Sequence, residues 1–203
     1  MIKIIATTFV AMMPFLGFAQ ELKLWTESDR KYLVDNLTRS RDELVKETEK
    51  LSEKQGKFKE SPDRWSINEV VEHLALYELV FDQQISQALY AQPHPEYNQQ
   101  AKPDSAFFNF IMETKPHFTK EYQKPFTYTS PMGLNELKNN MAWFLKMRNE
   151  SIDYLKITKE DLRAHYVTAE KPNPHQIYIY EFGHVDRAMR QIRKIKQHPK
   201  YPH

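Results

Sequence analysis

The chain has 203 residues, with 29 basic and 27 acidic side chains, a formal net charge of +2, and no cysteine. That near balance excludes the strong field that draws a protein to nucleic acid or an acidic membrane. The absence of thiols excludes disulfides, cysteine nucleophiles and cysteine-type zinc sites.

Residues 1–19 read as a secretory signal. Met1-Ile2-Lys3 is a short basic start, residues 4–16 are mostly apolar, and Gly17-Phe18-Ala19 puts small residues where a signal peptidase cuts. The apolar run is short of the about 20 residues a membrane span needs. The expectation is therefore an exported protein, periplasmic or extracellular, with one domain over 20–203 and no membrane span after cleavage. Glycine is scarce, with four in the chain, which favours helices over a turn-rich β fold.

Leu33, Leu37, Leu44 and Leu51 recur at helical spacing and predict a first helix over 28–53, stopped by Gly56. Ser66 with Glu69 makes a capping box, and Trp65 with Val70 a hydrophobic staple, at the start of a second helix reaching about 91. Its apolar face carries Ile67, Val70, Val71, Leu74, Tyr77, Phe81, Ile85 and Leu89. Three prolines mark 92–103 as a loop. Asp104 then caps a short third helix over 106–113 that is apolar nearly all round. Residues 116–131 read as an irregular crossing. A fourth helix opens near Gly133 and runs to about 157, and Thr158 with Asp161 suggests one more capped turn through His165. Asn173-Pro174-His175-Gln176 starts a last helix that ends near 197. Four long amphipathic helices and a short extra one predict an all-α helix bundle.

Two histidines lie inside core-bearing helices. His73 adjoins the Val70–Leu74–Tyr77 stripe, and His184 sits between Phe182 and Val185. A histidine sharing a core needs a partner for each ring nitrogen. That partner is either a neighbouring polar group or a shared metal ion. His94, His117, His165, His175, His198 and His203 fall in loops, near helix ends or in the tail.

The run Trp65-Ser66-Ile67-Asn68-Glu69-Val70-Val71-Glu72-His73-Leu74, led by Ser61-Pro62-Asp63-Arg64, resembles the second-helix signature of the DinB-like superfamily. Gly183-His184, followed by Arg187 and Gln191-Ile192, resembles its last-helix motif. The resemblance implies a four-helix bundle, often a homodimer, in which three histidines hold a divalent metal such as zinc, nickel or manganese. His73 and His184 match two of those ligands. The third, four residues after His184, corresponds to Ala188. A methyl group cannot coordinate a cation, and two imidazoles alone make a weak site.

Glu69 and Glu181 are the nearest carboxylates that could complete it. Glu69 also serves the capping box, and Glu181 reads equally as a solvated or salt-bridged side chain. Glu181-Phe182-Gly183-His184 matches one element of di-iron bundles, but the second copy that architecture requires is missing. Three functional readings follow. One is a binding or scaffold protein of the cell envelope with weak or lost metal binding and a small-molecule pocket. Another is a metal-dependent hydrolase or thiol-dependent transferase. The last is action through a surface or dimer face, for which the apolar segment 107–112 is a candidate. The basic residues Arg187, Arg190, Arg193, Lys194 and Lys196 have no aromatic platform beside them, and read as a solvated face rather than a nucleic-acid site.

Overall fold

A computed structural model describes residues 23–113 and 129–202. Residues 1–22 lie outside it, as do most of the crossing at 116–131 and the histidines at 117 and 203. Among the described residues there are six α-helices and no strand: α1 (Glu27–Thr48), α2 (Glu53–Lys57), α3 (Ile67–Tyr90), α4 (Asp104–Met112), α5 (Leu137–Ile157) and α6 (Pro174–Lys196), with a short 3-10 helix at Pro95–Gln99 inside the expected loop. A single backbone bridge joins Pro93 to His165. No described helix is long and apolar enough to cross a membrane.

α1 and α3 each pack on both α5 and α6, so the four long helices stand in the ring order α1–α5–α3–α6. The expected all-α bundle with a short additional helix is what forms. α4 lies outside the ring against α6, and α2 touches α3. Two apolar clusters fill the interior. One gathers Leu33, Leu37, Phe81, Ile85, Ile152, Leu155 and Phe182. The other gathers Leu44, Val70, Leu74, Phe144, Val185, Ile192 and Ile195.

Local chemistry sets the helix ends. Capping boxes start α1 at Thr26 and Asp29, α3 at Ser66 and Glu69, and α6 at Asn173 and Gln176, with Pro174 at the first position of α6. Each box satisfies orphan N–H groups reciprocally. Trp65 and Val70 pack into one cluster, as a staple requires.

Several boundaries differ from the sequence reading. The first helix stops at Thr48 because Ser52 and Gln55 form a further capping box, which starts α2 on its own. Gly56 lies within α2 and does not end α1. Asp104 does not cap α4. Its carboxylate accepts from Arg163 Nη2 (2.7 Å) and Gln176 Nε2 (3.2 Å) and faces His175 Nε2 (3.2 Å). The fourth helix begins at Leu137, because Gly133 takes a left-handed conformation (φ 66°) that cannot continue a helix. No helix forms over 158–165. A turn does form at 162–164, closed by the Ala164 N–H on the Asp161 carbonyl, and the Asp161 carboxylate accepts from the Arg163 N–H inside it while also pinning the entering chain through the N–H groups of Leu24 and Trp25.

Candidate functional site

α3 and α6 are neighbours, and they bring His73 and His184 together with ring centres 5.0 Å apart at an interplanar angle of 75°. Tyr77, one turn after His73, places its ring 4.7 Å from His73 and 4.4 Å from His184. Trp65 lies 4.7 Å from His73 on the other side, and Phe81 closes on His184 at 6.1 Å. Both imidazoles are densely surrounded yet keep a partly exposed edge. Burial is the main cause pushing His73 down to about 4, and it holds His184 well below the usual range. The Arg187 guanidinium adds to both effects. At neutral pH the pair is therefore uncharged.

The hydrogen bonds of the two rings differ. His73 Nδ1 lies 2.6 Å from the Thr129 carbonyl oxygen. A carbonyl only accepts, so Nδ1 carries the proton and Nε2 is left with its lone pair. Two neighbours on α3 hold the same loop. Glu72 accepts from the N–H groups of Met132 (3.0 Å) and Gly133 (2.8 Å), and Asn68 donates to the Asn135 carbonyl (2.7 Å). His184 makes ring contacts but no hydrogen bond among the described residues.

Neither candidate carboxylate joins the pair. Glu69 accepts from the Ser66 N–H (2.8 Å) and hydroxyl (2.9 Å), and meets Lys59 Nζ at 2.7 Å. It performs the capping role and is half-buried. Glu181 turns into the bundle centre, where Arg148 occupies the space between it and Glu78. Arg148 donates from Nε to Glu78 Oε2 (2.9 Å) and from Nη2 to Glu78 Oε1 (2.6 Å). Nη1 donates to Ser40 Oγ (2.9 Å) and Nη2 to the Glu181 carbonyl (3.1 Å). The Glu181 carboxylate lies 3.0 Å from Arg148 Nε, but that N–H is directed at Glu78. Glu181 thus gains Coulomb attraction without an aligned hydrogen bond. Burial, then the neighbouring Glu78, raises its carboxyl well above the usual range.

Ala188 is buried in the second apolar cluster. A three-ligand metal site needs a donor there or from a nearby carboxylate. Two imidazoles sharing a zinc ion at about 2.0–2.1 Å would have ring centres roughly 5 Å apart, so the pair itself is close enough. The third donor is what these residues do not supply. Among the described residues, no group of three or more His, Asp or Glu side chains is placed to hold a metal ion. The donor set does not fit the three-ligand centre that the resemblance implies.

Sequence reasoning missed three participants. Glu72 and Asn68 are polar residues on an otherwise apolar stripe, and that is the one signal that could have marked them. Arg187 was read as part of a solvated basic face, but it is half-buried, its Nη1 meets the Ile111 carbonyl at 3.5 Å, and its charge acts on both histidines. The rest of that face is mostly paired, with Arg193 meeting Glu43 and Glu47, and Lys196 meeting Glu47. His175, taken as a helix-end residue, is buried at the opposite polar corner. There Trp25 Nε1 donates to its Nδ1 at 3.1 Å. Gly183 has a steric reason. A Cβ there would sit 2.5 Å from Ile111 Cγ2 and 3.5 Å from Phe108, so its bare backbone is what lets α4 dock on α6.

Two surface clefts lie elsewhere. One of about 320 Å³ runs past Lys102, Lys171 and Gln176, and one of about 200 Å³ past Leu51, Gly56 and Leu137. Comparison with known proteins gives one family match. The family model described as the DinB superfamily covers residues 36–185, a span that includes both His73 and His184. No curated protein and no solved structure matches the chain.

Proposed function

The chain belongs to the DinB superfamily, and from that premise we propose that it is an exported member whose two-histidine niche binds small molecules and has weak or lost metal affinity. The observation that carries this reading is the commitment of both candidate carboxylates elsewhere. Glu69 is held by the helix cap and Lys59, and Glu181 by Arg148. A methyl group stands at the third ligand position. The reading includes cleavage after Ala19, a periplasmic or extracellular location and a homodimer.

Metal analysis tests it. The mature chain, purified without an affinity tag, should carry far less than one equivalent of zinc, nickel or manganese. Ala188→His should create metal binding that the natural chain lacks. One tightly held equivalent in the natural chain overturns the reading.

A second reading, a divalent-metal-dependent hydrolase or thiol-dependent transferase, is favoured by one specific observation. The bond from His73 Nδ1–H to the Thr129 carbonyl fixes the tautomer that leaves the Nε2 lone pair unprotonated, with the His184 ring 5.0 Å away, and metal-ligating histidines are oriented by bonds of this kind. If His73→Ala removes both bound metal and a measured turnover, that reading replaces the first.

A further inference from the structure

His175, the second residue of α6, is 1 % exposed and lies where the chain entering α1, α1 itself, the start of α4 and the loop before α6 meet. Its ring nitrogens face three polar groups. Trp25 Nε1 lies 3.1 Å from Nδ1, while Asp104 Oδ2 (3.2 Å) and Arg163 Nη2 (2.8 Å) both face Nε2. An indole N–H and a guanidinium only donate, and a neutral imidazole has one lone pair with which to accept. If Arg163 took that lone pair, Nδ1 would carry the proton and meet the Trp25 N–H head on. The arrangement that satisfies every group is the other one. Trp25 donates to Nδ1, and Nε2–H donates to Asp104. Arg163 Nη2 spends its two hydrogens on Asp104 Oδ2 (2.7 Å) and Asp29 Oδ1 (2.9 Å).

Trp25 belongs to a short strap, residues 23–25, that precedes α1. The strap is held in two separate ways. Asp161 accepts from the backbone N–H groups of Leu24 and Trp25. The indole is buried in the first apolar cluster and held at its N–H by His175. The Arg30 guanidinium, itself bound to the Leu155 and Thr158 carbonyls, lies 4.5 Å from the indole ring centre, and Lys23 Nζ lies at 5.9 Å.

The charges facing His175 keep their states through the neutral range. Burial opposes the Asp104 anion, but the bonds from His175 and Arg163 outweigh it and hold that carboxyl well below the usual range. Asp29 follows the same pattern, with Arg163 and Thr26 as its partners. Burial works against the Arg163 charge, yet the two carboxylates raise its basicity. The Tyr32 ring stacks on His175 at 6.4 Å, and burial raises the phenols of Tyr32 and Tyr166, which stay neutral. An imidazole is the side chain that changes charge between pH 5 and 8.

We propose that His175 is a pH-operated latch for the Trp25 indole: docking requires an unprotonated Nδ1, and a second proton on the ring releases the indole. The protonated ring carries N–H at both nitrogens, so turning it over restores no acceptor. Its Nε2–H keeps Asp104, and the start of α4 stays in place. Its Nδ1–H opposes the Trp25 N–H, donor against donor. The indole then leaves while Asp161 still holds the strap by its backbone. Docking is complete at the higher pH and is lost as the pH falls.

The test follows the 15N-labelled mature chain by NMR from pH 8 to pH 5. The chain has three tryptophans, and Trp25→Phe assigns the indole N–H signal of Trp25. At pH 8 the His175 ring should be neutral, with its proton on Nε2. On acidification the Trp25 indole signal should move to its solvent-exposed position with the same midpoint as His175, while the far-ultraviolet helix signal stays constant. His175→Asn supplies an acceptor oxygen near the Nδ1 position and cannot titrate, so it should hold the indole signal unchanged over the range. Should that variant fold poorly, the tautomer and the paired midpoints in the natural chain still decide. A proton on Nδ1 at pH 8 overturns the proposal. So do a His175 ring that stays neutral to pH 5, an indole that stays put while His175 titrates, loss of helix signal together with the indole shift, and an unaltered indole transition in folded His175→Asn.

Discussion

The bundle contains two polar layers with opposite habits. In the Glu78–Arg148–Glu181 layer the guanidinium is fully enclosed, and its donors are taken up by Glu78, Ser40 and backbone carbonyls. In the His73–His184–Arg187 layer, among the described residues, the guanidinium makes a single long hydrogen bond, and one imidazole makes none. Both layers place an arginine beside groups from α3 and α6. The first is fully enclosed and its cation is saturated, which makes it structural even though the Glu181 carboxylate has no aligned hydrogen bond. The second leaves donors and an acceptor facing a partly exposed edge, which is the condition for binding something else. The difference teaches where to look for function in this bundle, because the most charged layer is the one sealed from solvent.

The sharpest way to break the comparison is Arg148→Met. It strands two carboxylates in the core, and removing one partner of a buried ion pair costs about 3–5 kcal/mol. Urea unfolding of the variant should show a loss of that size. A loss below 1 kcal/mol would mean that the layer is not what holds the centre together.

The two layers should also respond oppositely to pH. His73 is held at about 4 in the folded chain against 6.5 when free. The unfolded chain therefore takes up the proton first, and stability present above pH 6.5 falls as the pH drops toward 4. His73 contributes at most about 3 kcal/mol to this, and His184 acts in the same direction. Glu181 has a raised carboxyl, so its contribution is complete below about pH 4.5 and is lost as the pH rises through its folded value. Denaturation midpoints across pH 4–9 should show His73→Asn flattening the acid side and Glu181→Gln flattening the other. If both variants change the same limb, the separation of the layers is wrong.

The smallest effect concerns the wall of the niche. Gly183→Ala adds a methyl group 2.5 Å from Ile111 Cγ2, and the β-branched isoleucine is stiff at that atom. Overpacking of about 1–3 kcal/mol is offset by about 1 kcal/mol of helix propensity. The net loss should be modest and concentrated at α4, read as faster proteolysis there. Ile111→Ala in the same chain should restore protection.

The long helices α3 and α6 were legible because their caps are written in adjacent residues, Ser66 with Glu69 and Asn173 with Gln176. The same rule missed α2, whose Ser52–Gln55 box sits inside an otherwise continuous helical pattern. Asp104 misled for a related reason. It precedes a helix, but a long-range partner, Arg163, claims the carboxylate first. At the site, His73 and His184 were found from their place within apolar stripes. Arg187 was not, because a basic residue among basic residues carries no local sign of which way it turns.

By itself the sequence determined the all-α bundle, the two helices that carry the histidines and the methyl side chain of Ala188. These depend on periodicity, capping and residue identity, all of which act within a few residues. Only the tertiary structure decided what each polar group faces. It directed Glu181 to Arg148, kept Glu69 at its cap and drew Arg187 to the Ile111 carbonyl at the end of α4. The physical reason is that charge pairing in a bundle is set between helices, across distances in sequence that no local pattern records.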